Sequence, residues 1–231
     1  MSKNRRDGIR KSRAERRGRR PELGYYVIVV NTKETENNYF EGLKNSLPSE
    51  MQKKLAVVVF KAKTGSVIEV CKKQLSYDPQ NRKGWIVFDR DQEVHFDKLI
   101  EDAEAEGIGA CWSNPCFEIW LHAYYGAMPL VCNSRPEAAS QECCRNFGSV
   151  YEKYNGHKYS KSEKQLYFNL IKTGNEDTAQ KIALERFQNC ERDYKGEKFS
   201  NWESCTTVFR VIQEIRNKLP IPEANTENRS L

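Results

Sequence analysis

Two aspartates, Asp89 and Asp91, stand directly after a short apolar stretch, residues 85–88, which follows Lys83 and Gly84. Four consecutive large apolar residues predict a short strand that is buried on both faces inside a parallel sheet. In an open α/β sheet, ligands bind at the carboxyl ends of the strands, because the loops there leave a crevice. The two aspartates are therefore the first candidate ligands for a hard divalent cation, on which they can converge where the strand bends into its loop. The alternative is a solvated turn that carries a surface Asp-Arg-Asp cluster.

Other oxygen-bearing side chains are expected at the same edge of the sheet. Glu34 and Glu36 follow the first predicted strand, Ser113 follows the fourth, and Glu118 lies in the helix behind it. Parallel strands would bring these groups together with the two aspartates. A patch of carboxylates is electrostatically unfavourable unless a cation occupies it, and oxygen-only ligands favour Mg²⁺ or Mn²⁺ over zinc or copper. Such an ion can activate water and neutralise charge on a reacting phosphodiester.

Three further side chains are candidates for roles beside these acids. Glu118 lies on an apolar helix, where an unpaired carboxylate is costly to bury, so we expect a metal or a basic side chain as its partner. The alternative for Glu118 is a glutamate favoured at a helix N-terminus by the helix dipole. His122, one turn later, is expected to be a hydrogen-bonded core residue. Lys161 could hold a phosphate or stabilise a leaving oxygen, although by composition alone it is an exposed lysine.

The elements that must position these residues follow from the apolar pattern. Strand and helix patterns alternate four times, which predicts an α/β fold with a mostly parallel, Rossmann-like sheet of about four strands and flanking helices. The predicted strands are residues 25–30, 55–60, 85–88 and 108–112, and the predicted helices are residues 35–47, 65–75, 94–106 and 116–125.

The second half of the chain is predicted to be helical. Residues 127–144 are polar and interrupted by proline, which indicates a long loop, and helices are expected at 147–154, 164–173, 178–189 and 206–219. The predicted organisation is a basic flexible arm over residues 1–22, an α/β core over 23–126, a helical region packed on the core over 127–221, and a disordered tail over 222–231.

Positive charge is concentrated at the start of the chain. Residues 1–20 contain ten Lys or Arg against two acids, so this arm carries a charge of +8 in a chain whose net charge is +6. Such a tail adds salt-dependent affinity for nucleic acid that is independent of sequence, although it could equally be a solubilising or ribosome-adhering tail. The predicted nucleic-acid contacts are Arg5, Arg6, Arg10, Lys11, Arg13, Arg16, Arg17, Arg19 and Arg20.

Composition excludes several classes of protein. The 231 residues are 38% hydrophobic, enough for a real core, but no apolar run is as long as a membrane span and the basic start is not followed by the apolar segment of a secretory signal. We therefore expect a cytoplasmic protein without a membrane contact. The eight cysteines show no C-x-x-C spacing, so the sequence does not support a zinc site.

Four stretches of the sequence resemble the RloB family, small proteins of bacterial anti-phage loci that usually occur beside an AAA-type ATPase called RloA. They are Thr-Glu-Asn-Asn-Tyr-Phe at 35–40, Phe-Asp-Arg-Asp at 88–91, Ser-Asn-Pro-Cys-Phe-Glu-Ile-Trp-Leu-His at 113–122, and Tyr-Ser-Lys at 159–161. The Ser-Asn-Pro-x-Phe-Glu element is the most specific of them. The resemblance extends over about residues 25 to 190.

The RloB family is similar to Toprim domains, the metal-binding fold of topoisomerases, primases and OLD-type nucleases. The resemblance implies Mg²⁺- or Mn²⁺-dependent cleavage of DNA, tRNA or another RNA, leading to abortive infection, with activation by an RloA-like ATPase. It implies catalytic or metal-binding roles for Glu36, Asp89, Asp91, Ser113 and Glu118, with Lys161 as a transition-state contact.

One departure from the family concerns Asn31. The family usually has a Glu-Gly pair directly after the first strand, where this chain has Asn31 and Thr32. Asparagine can coordinate a metal through its carbonyl oxygen, but it is neutral and cannot act as a general base. Either Glu34 or Glu36 takes over, or this member is catalytically weakened.

Three functions remain compatible with the sequence. The first is a Toprim-like, metal-dependent nuclease that is the effector of an anti-phage system. The second is a catalytically weakened subunit that binds nucleic acid or regulates a defence ATPase. The third is a small phosphotransferase-like α/β protein whose basic arm is passive. An oligomer is compatible with each of them.

Overall fold

The computed structural model describes residues 21–31, 34–91, 93–131 and 135–219. The predicted tail and all but the last two residues of the predicted basic arm lie outside these ranges. Among the described residues, no helix combines the length and the apolar character needed to cross a membrane.

A five-stranded sheet forms the centre of the fold. The strands are β1 (Gly24–Val30), β2 (Leu55–Lys61), β3 (Arg82–Asp89), β4 (Gly109–Asn114) and β5 (Cys205–Thr206), in the spatial order β2-β1-β3-β4-β5. The first four strands are parallel and β5 runs antiparallel to β4. The apolar residues 27–30 and 86–88 are fully buried, as expected for central parallel strands covered by helices on both faces. The prediction of a mostly parallel α/β sheet with flanking helices is confirmed, with one strand more than expected.

Nine helices lie among the described residues: α1 (Thr35–Ser46), α2 (Ser49–Lys54), α3 (Val67–Leu75), α4 (Phe96–Ala105), α5 (Glu118–Ala123), α6 (Pro136–Asn155), α7 (Leu166–Thr173), α8 (Glu176–Asp193) and α9 (Phe209–Arg216). Short 3₁₀ turns occupy Thr64–Ser66 and Phe199–Asn201. Helix α5 is buried along its whole length, in contact with α6 and α8. The C-terminal helices therefore hold in place the helix that begins with Glu118.

The prediction of a long loop over residues 127–144 is wrong in its second half. Helix α6 begins at Pro136, because proline is well tolerated in the first turn of a helix, where its missing N–H is not needed. The buried side chains Ala139, Cys143, Phe147 and Tyr151 recur every four residues, which is the stripe of an amphipathic helix. The proline and the polar residues around it make this apolar stripe hard to recognise in the sequence.

The helix predicted over residues 206–219 is wrong at its start. Thr206 belongs to β5, and Thr207 donates a backbone hydrogen bond to the carbonyl of Trp112 in β4 at 2.9 Å. The Thr207 hydroxyl accepts from the Trp112 N–H at 2.9 Å. Pairing with β4 therefore extends the sheet by a strand of two residues, which is too short to show a periodic pattern.

Helices α1 and α7 approach each other closely at Gly42. A Cβ atom on Gly42 would lie 2.5 Å from the Cβ of Tyr167, well inside van der Waals contact. We expect Gly42→Ala to lower the free energy of unfolding by about 1–2 kcal/mol, because the overpacking cost exceeds the gain in helix propensity. Urea denaturation measures the change. In the matched control Gly148→Ala, in α6, no heavy atom lies within 4 Å of the new methyl group, and we expect a gain of about 0.5–1 kcal/mol.

Candidate active site

A cavity of about 410 Å³ lies at the carboxyl edge of the sheet. Asn31 directly follows β1, Asp89 ends β3, and the first turns of α1 and α5 carry Glu36 and Glu118. The cavity is lined by Asn31, Glu34, Thr35, Glu36, Asp89, Asp91, Glu118, Ser140 and Lys161. The five predicted acids and Lys161 therefore lie in one place. We call this space the acid-lined cavity.

The loop after β3 explains why both aspartates reach the cavity. The N–H of Arg90 donates to the carbonyl of Ser113 at 2.8 Å, and the N–H of Asp91 donates to the carbonyl of Pro115 at 3.0 Å. The chain is thus tied to the end of β4 as it leaves the sheet, and the alternation of a straight strand no longer separates the two side chains. Burial raises the pKa of Asp91. The positive charge of Lys161 and a hydrogen bond from Ser140 partly offset this increase.

Asp89 is an acid of the cavity whose charged form is strongly disfavoured. Burial, followed by the negative charges of Glu36 and Glu118, raises its pKa well above the ordinary value of a carboxyl group. The backbone N–H of Phe117 donates a hydrogen bond to the carboxylate and opposes this shift. Oxygen Oδ1 of Asp89 is inaccessible to solvent and has no hydrogen-bond partner among the described residues. The carboxylate therefore lies where its negative charge is disfavoured unless a cation is present.

Glu118 has two partners on the segment between α6 and α7. Its Oε1 accepts a hydrogen bond from the Tyr159 hydroxyl at 2.9 Å and lies 3.7 Å from Nζ of Lys161. The Tyr159 hydroxyl is also 3.3 Å from the hydroxyl of Thr35. The side chain of Glu118 is 2% exposed, whereas that of Lys161 is 59% exposed. The basic partner expected for Glu118 is therefore Lys161, whose free end retains access to solvent.

Lys161 is held in its charged form. Partial burial opposes the charge, but the combined electrostatic effect of Glu118, Cys144, Cys116 and Asp89 outweighs it and raises the pKa of Lys161 above its usual value. A protonated amine at this position can bind a phosphate oxygen or a leaving oxygen.

Two predicted residues differ from the rest of the site. The side chain of Ser113 is buried, its hydroxyl lies 3.0 Å from that of Thr206, and it does not line the cavity. Asn31 lines the cavity and donates from Nδ2 to the Thr64 hydroxyl at 3.1 Å. Its Oδ1 is buried and has no hydrogen-bond partner among the described residues. Asn31 thus offers a neutral oxygen acceptor to the cavity.

The donors of the acid-lined cavity fit a hard divalent cation. Among the described residues, five carboxylates and the Asn31 amide oxygen line the cavity against one lysine, so acidic groups outnumber basic ones. Within the described ranges, Asp89 Oδ1 and Asn31 Oδ1 are the buried side-chain oxygens that lack a hydrogen-bond partner. Because Mg²⁺ and Mn²⁺ prefer oxygen ligands, such an ion would give both of these oxygens a partner.

A second group of ligands was not expected from the sequence. The sulfur atoms of Cys116 and Cys144 lie 3.8 Å apart, and together with a carboxylate oxygen of Glu118 they form a set of three atoms within 4.8 Å of one another. Burial raises the pKa of Cys116, and a hydrogen bond to Cys116 followed by burial raises that of Cys144. The cysteine spacing does not reveal this set, because Cys144 follows Cys116 by 28 residues and lies in the stretch predicted to be a loop.

His122 is a core residue, in agreement with the interpretation of its position. It is 4% exposed, donates to the backbone carbonyl of Cys143, and lies against the ring of Phe147 with the ring centroids 5.5 Å apart. Burial lowers the pKa of His122 from 6.5 to about 4. The imidazole is therefore neutral at physiological pH.

The lowered pKa of His122 predicts a loss of stability in acid. A group whose pKa is depressed by folding contributes its full stability above its unfolded pKa, and this contribution is lost as the pH falls from 6.5 towards 4. The contribution is about 3 kcal/mol at most. We expect His122→Asn to flatten the decrease in the free energy of unfolding between about pH 7 and about pH 4.5, measured with urea. His157→Asn, at a histidine whose side chain is 49% exposed, should leave the slope unchanged, and equal slopes for all three proteins would contradict the prediction.

Fold and site together define an α/β protein with a candidate divalent-cation site at the carboxyl edge of a mostly parallel sheet. A family model described as RloB-like protein matches residues 26–215, and the chain belongs to this family. The match confirms the resemblance seen in the sequence. No curated protein and no solved structure matches the chain.

Proposed function

We propose that this protein is a Mg²⁺- or Mn²⁺-dependent nuclease of the Toprim-like type. The observation that carries the proposal is the acid-lined cavity, in which five carboxylates and Lys161 converge at the carboxyl ends of the strands. A phosphodiester cannot approach so many acidic groups unless a divalent cation neutralises them. Lys161 adds a positive charge from the protein itself.

Asp89 and Asp91 are the proposed metal ligands on β3 and its loop, with Glu118 at the start of α5 and the Asn31 amide oxygen as a neutral donor. A bound Mg²⁺ or Mn²⁺ would lower the pKa of a water molecule and neutralise charge on the phosphate. Lys161 keeps its proton on Nζ and can donate a hydrogen bond to a phosphate oxygen. Tyr159 holds the Glu118 carboxylate in place through its hydroxyl.

Glu36 is the proposed replacement for the acid that the family usually has at the position of Asn31. It is 2% exposed, lies in the first turn of α1 and acts electrostatically on Asp89. Glu34 also lines the cavity but is exposed, so it is the weaker candidate for a group that takes a proton from water. An asparagine amide cannot take that proton.

Nucleic acid is the proposed substrate, and a defence ATPase is the proposed partner. The charge of +8 over residues 1–20 favours a polyanion, and these residues lie outside the described part of the chain. Membership of the RloB-like family supports an anti-phage role with an RloA-like ATPase that releases or activates cleavage.

The experiment that tests the proposal is a cleavage assay of the full-length chain on plasmid DNA and on total tRNA. Mg²⁺ or Mn²⁺ is supplied with and without EDTA, and an RloA-like ATPase is added in parallel samples. We expect cleavage of at least one substrate that requires the divalent cation. Cleavage that persists in EDTA would overturn the metal-dependent mechanism, and no cleavage under any of these conditions would overturn the nuclease.

A second candidate function, a catalytically weakened subunit that binds nucleic acid or regulates an ATPase, is favoured by the neutral Asn31 in the cavity. The two functions differ in the effect of Asn31→Glu. If the native chain is weakened by its asparagine, this substitution should create or strongly raise metal-dependent cleavage. If Glu36 already supplies the acid, the added negative charge should leave cleavage unchanged or lower it.

A further inference from the structure

We propose that Cys116, Cys144 and Glu118 bind a zinc-class ion, and that this ion withdraws Glu118 from the acid-lined cavity and thereby inhibits cleavage. The three ligand atoms lie within 4.8 Å of one another. The inhibitory part of the proposal rests on the proposed nuclease function. The binding part depends only on the geometry and chemistry of these three side chains.

The separation of the two sulfur atoms matches tetrahedral zinc coordination. With Zn–S bonds of about 2.3 Å, two thiolates in a tetrahedral site lie about 3.8 Å apart. The sulfur atoms of Cys116 and Cys144 are 3.8 Å apart. The Glu118 carboxylate supplies a third ligand, which leaves the fourth position for water, as in zinc sites with an open position.

A neighbouring cavity gives an ion a route to the thiols. It has a volume of about 360 Å³ and is lined by Asp91, Glu137, Ser140, Gln141, Cys144, Arg145 and Lys161. Asp91, Ser140 and Lys161 belong to both cavities, so the thiol pair lies beside the site proposed for catalysis. Cys116 is 1% exposed and Cys144 is partly buried, which leaves Cys144 as the first ligand that an entering ion meets.

Ligand chemistry separates the two metal sites. Thiolates select zinc-class ions over Mg²⁺, whereas carboxylate and amide oxygens favour Mg²⁺ or Mn²⁺. Glu118 is the residue common to both sets. Because its Oε1 is also 3.7 Å from Nζ of Lys161, a soft ion on Glu118 competes with Lys161 as well as with the hard ion. Occupation of the Cys116, Cys144 and Glu118 site should therefore remove Glu118 from the proposed catalytic arrangement.

The test uses Co²⁺ as a spectroscopic probe for zinc, added to the full-length chain with a phosphine reductant and no Mg²⁺. We expect one Co²⁺ per chain with the near-ultraviolet charge-transfer band of thiolate ligands, and its displacement by Zn²⁺. Cys116→Ala and Cys144→Ala should each abolish the band or weaken binding by more than about a hundredfold. Glu118→Gln should keep the band with weaker binding.

Cys190→Ala is the matched control, because Cys190 belongs to a second pair of contacting thiols, with Cys205, away from the cavity. It should retain the Co²⁺ band. A band that survives both Cys116→Ala and Cys144→Ala, a band lost only in Cys190→Ala, or no band at all would overturn the site.

Inhibition is measured separately, as the loss of Mg²⁺-dependent cleavage on addition of Zn²⁺. The Zn²⁺ concentration that halves the cleavage rate should be at least about tenfold lower for the native protein than for Cys144→Ala, because loss of a ligand weakens zinc binding. Equal inhibition of both proteins would overturn the regulatory role. If the native chain shows the Co²⁺ band but never cleaves nucleic acid, the proposed nuclease fails while the thiol site stands, so the two failures are distinguishable.

Discussion

Replacing Asp89 by asparagine is expected to abolish metal-dependent cleavage and, at the same time, to stabilise the metal-free protein. Asp89 Oδ1 is buried without a hydrogen-bond partner among the described residues, and the carboxylate faces the charges of Glu36 and Glu118. Asparagine keeps the shape of the side chain but removes the negative charge. The proposed ligand of the cation is thereby lost, together with a source of repulsion in the folded state.

The two effects of Asp89→Asn have defined directions. We expect the cleavage rate to fall by at least about a thousandfold, at the upper end of the loss seen when a single electrostatic contact is removed. Folding raises the pKa of Asp89, so its contribution to stability is present at low pH and is lost as the pH rises through the raised value. The gain in melting temperature of the variant in EDTA should therefore increase with pH. Added Mg²⁺ should stabilise the native protein but not the variant.

Asp177→Asn is the matched control, because Asp177 is an exposed acid in α8 outside the cavity. It should leave cleavage and the Mg²⁺-dependent stabilisation unchanged. Cleavage by Asp89→Asn at the native rate would exclude Asp89 as an essential metal ligand. A lower melting temperature of this variant in EDTA would contradict the interpretation that carboxylate repulsion destabilises the metal-free protein.

Much of the sheet could be predicted from the sequence because its central strands consist of uninterrupted runs of apolar residues. Residues 27–30 and 86–88 are buried on both faces, and a run of that length followed by charge is typical of a parallel strand that ends at a ligand-binding edge. The candidate acids followed from this layout, since Asp89 is the last residue of β3 and Glu118 begins α5.

The contacts made by α6 and the following segment could not be predicted in the same way. Cys116 and Cys144 are brought together because α6 packs against α5, whereas the polar start of α6 predicts a loop. Lys161 and Tyr159 lie on a segment without a regular apolar pattern, so no periodicity indicates which acid they reach. Local pattern predicts elements, whereas the pairing of distant side chains depends on how those elements pack.

The Lys161–Glu118 pair has two interpretations with different consequences. An ion pair in which one side chain is 59% exposed contributes little to stability, because water screens it and the lysine loses side-chain entropy. If Lys161 had only a structural role, its replacement would change the stability of the protein very little. A role in catalysis requires the exposed amine to act on a substrate phosphate, and its effect would be seen in the rate instead of in the stability.

Lys161→Met is accordingly expected to lower the rate of cleavage at saturating substrate by about a hundredfold to a thousandfold, with little change in melting temperature. Removal of the only lysine that lines the cavity among the described residues makes the cavity more negative, so Mg²⁺ binding should be unchanged or tighter. A fall in rate with undiminished metal affinity would distinguish a contact to the reacting phosphate from a residue that merely holds Glu118. Lys161→Arg should recover part of the rate, because it keeps the positive charge.

Lys158→Met is the matched control for Lys161→Met, since Lys158 is an exposed lysine three positions earlier that does not line the cavity. It should cleave at the native rate. Single-turnover cleavage and a Mg²⁺ titration of melting temperature supply the two readouts. If Lys161→Met loses metal affinity and stability together with its rate, Lys161 acts by supporting Glu118. Equal losses of rate in both lysine variants would assign the effect to general attraction of the polyanion, because distant positive charges share that attraction.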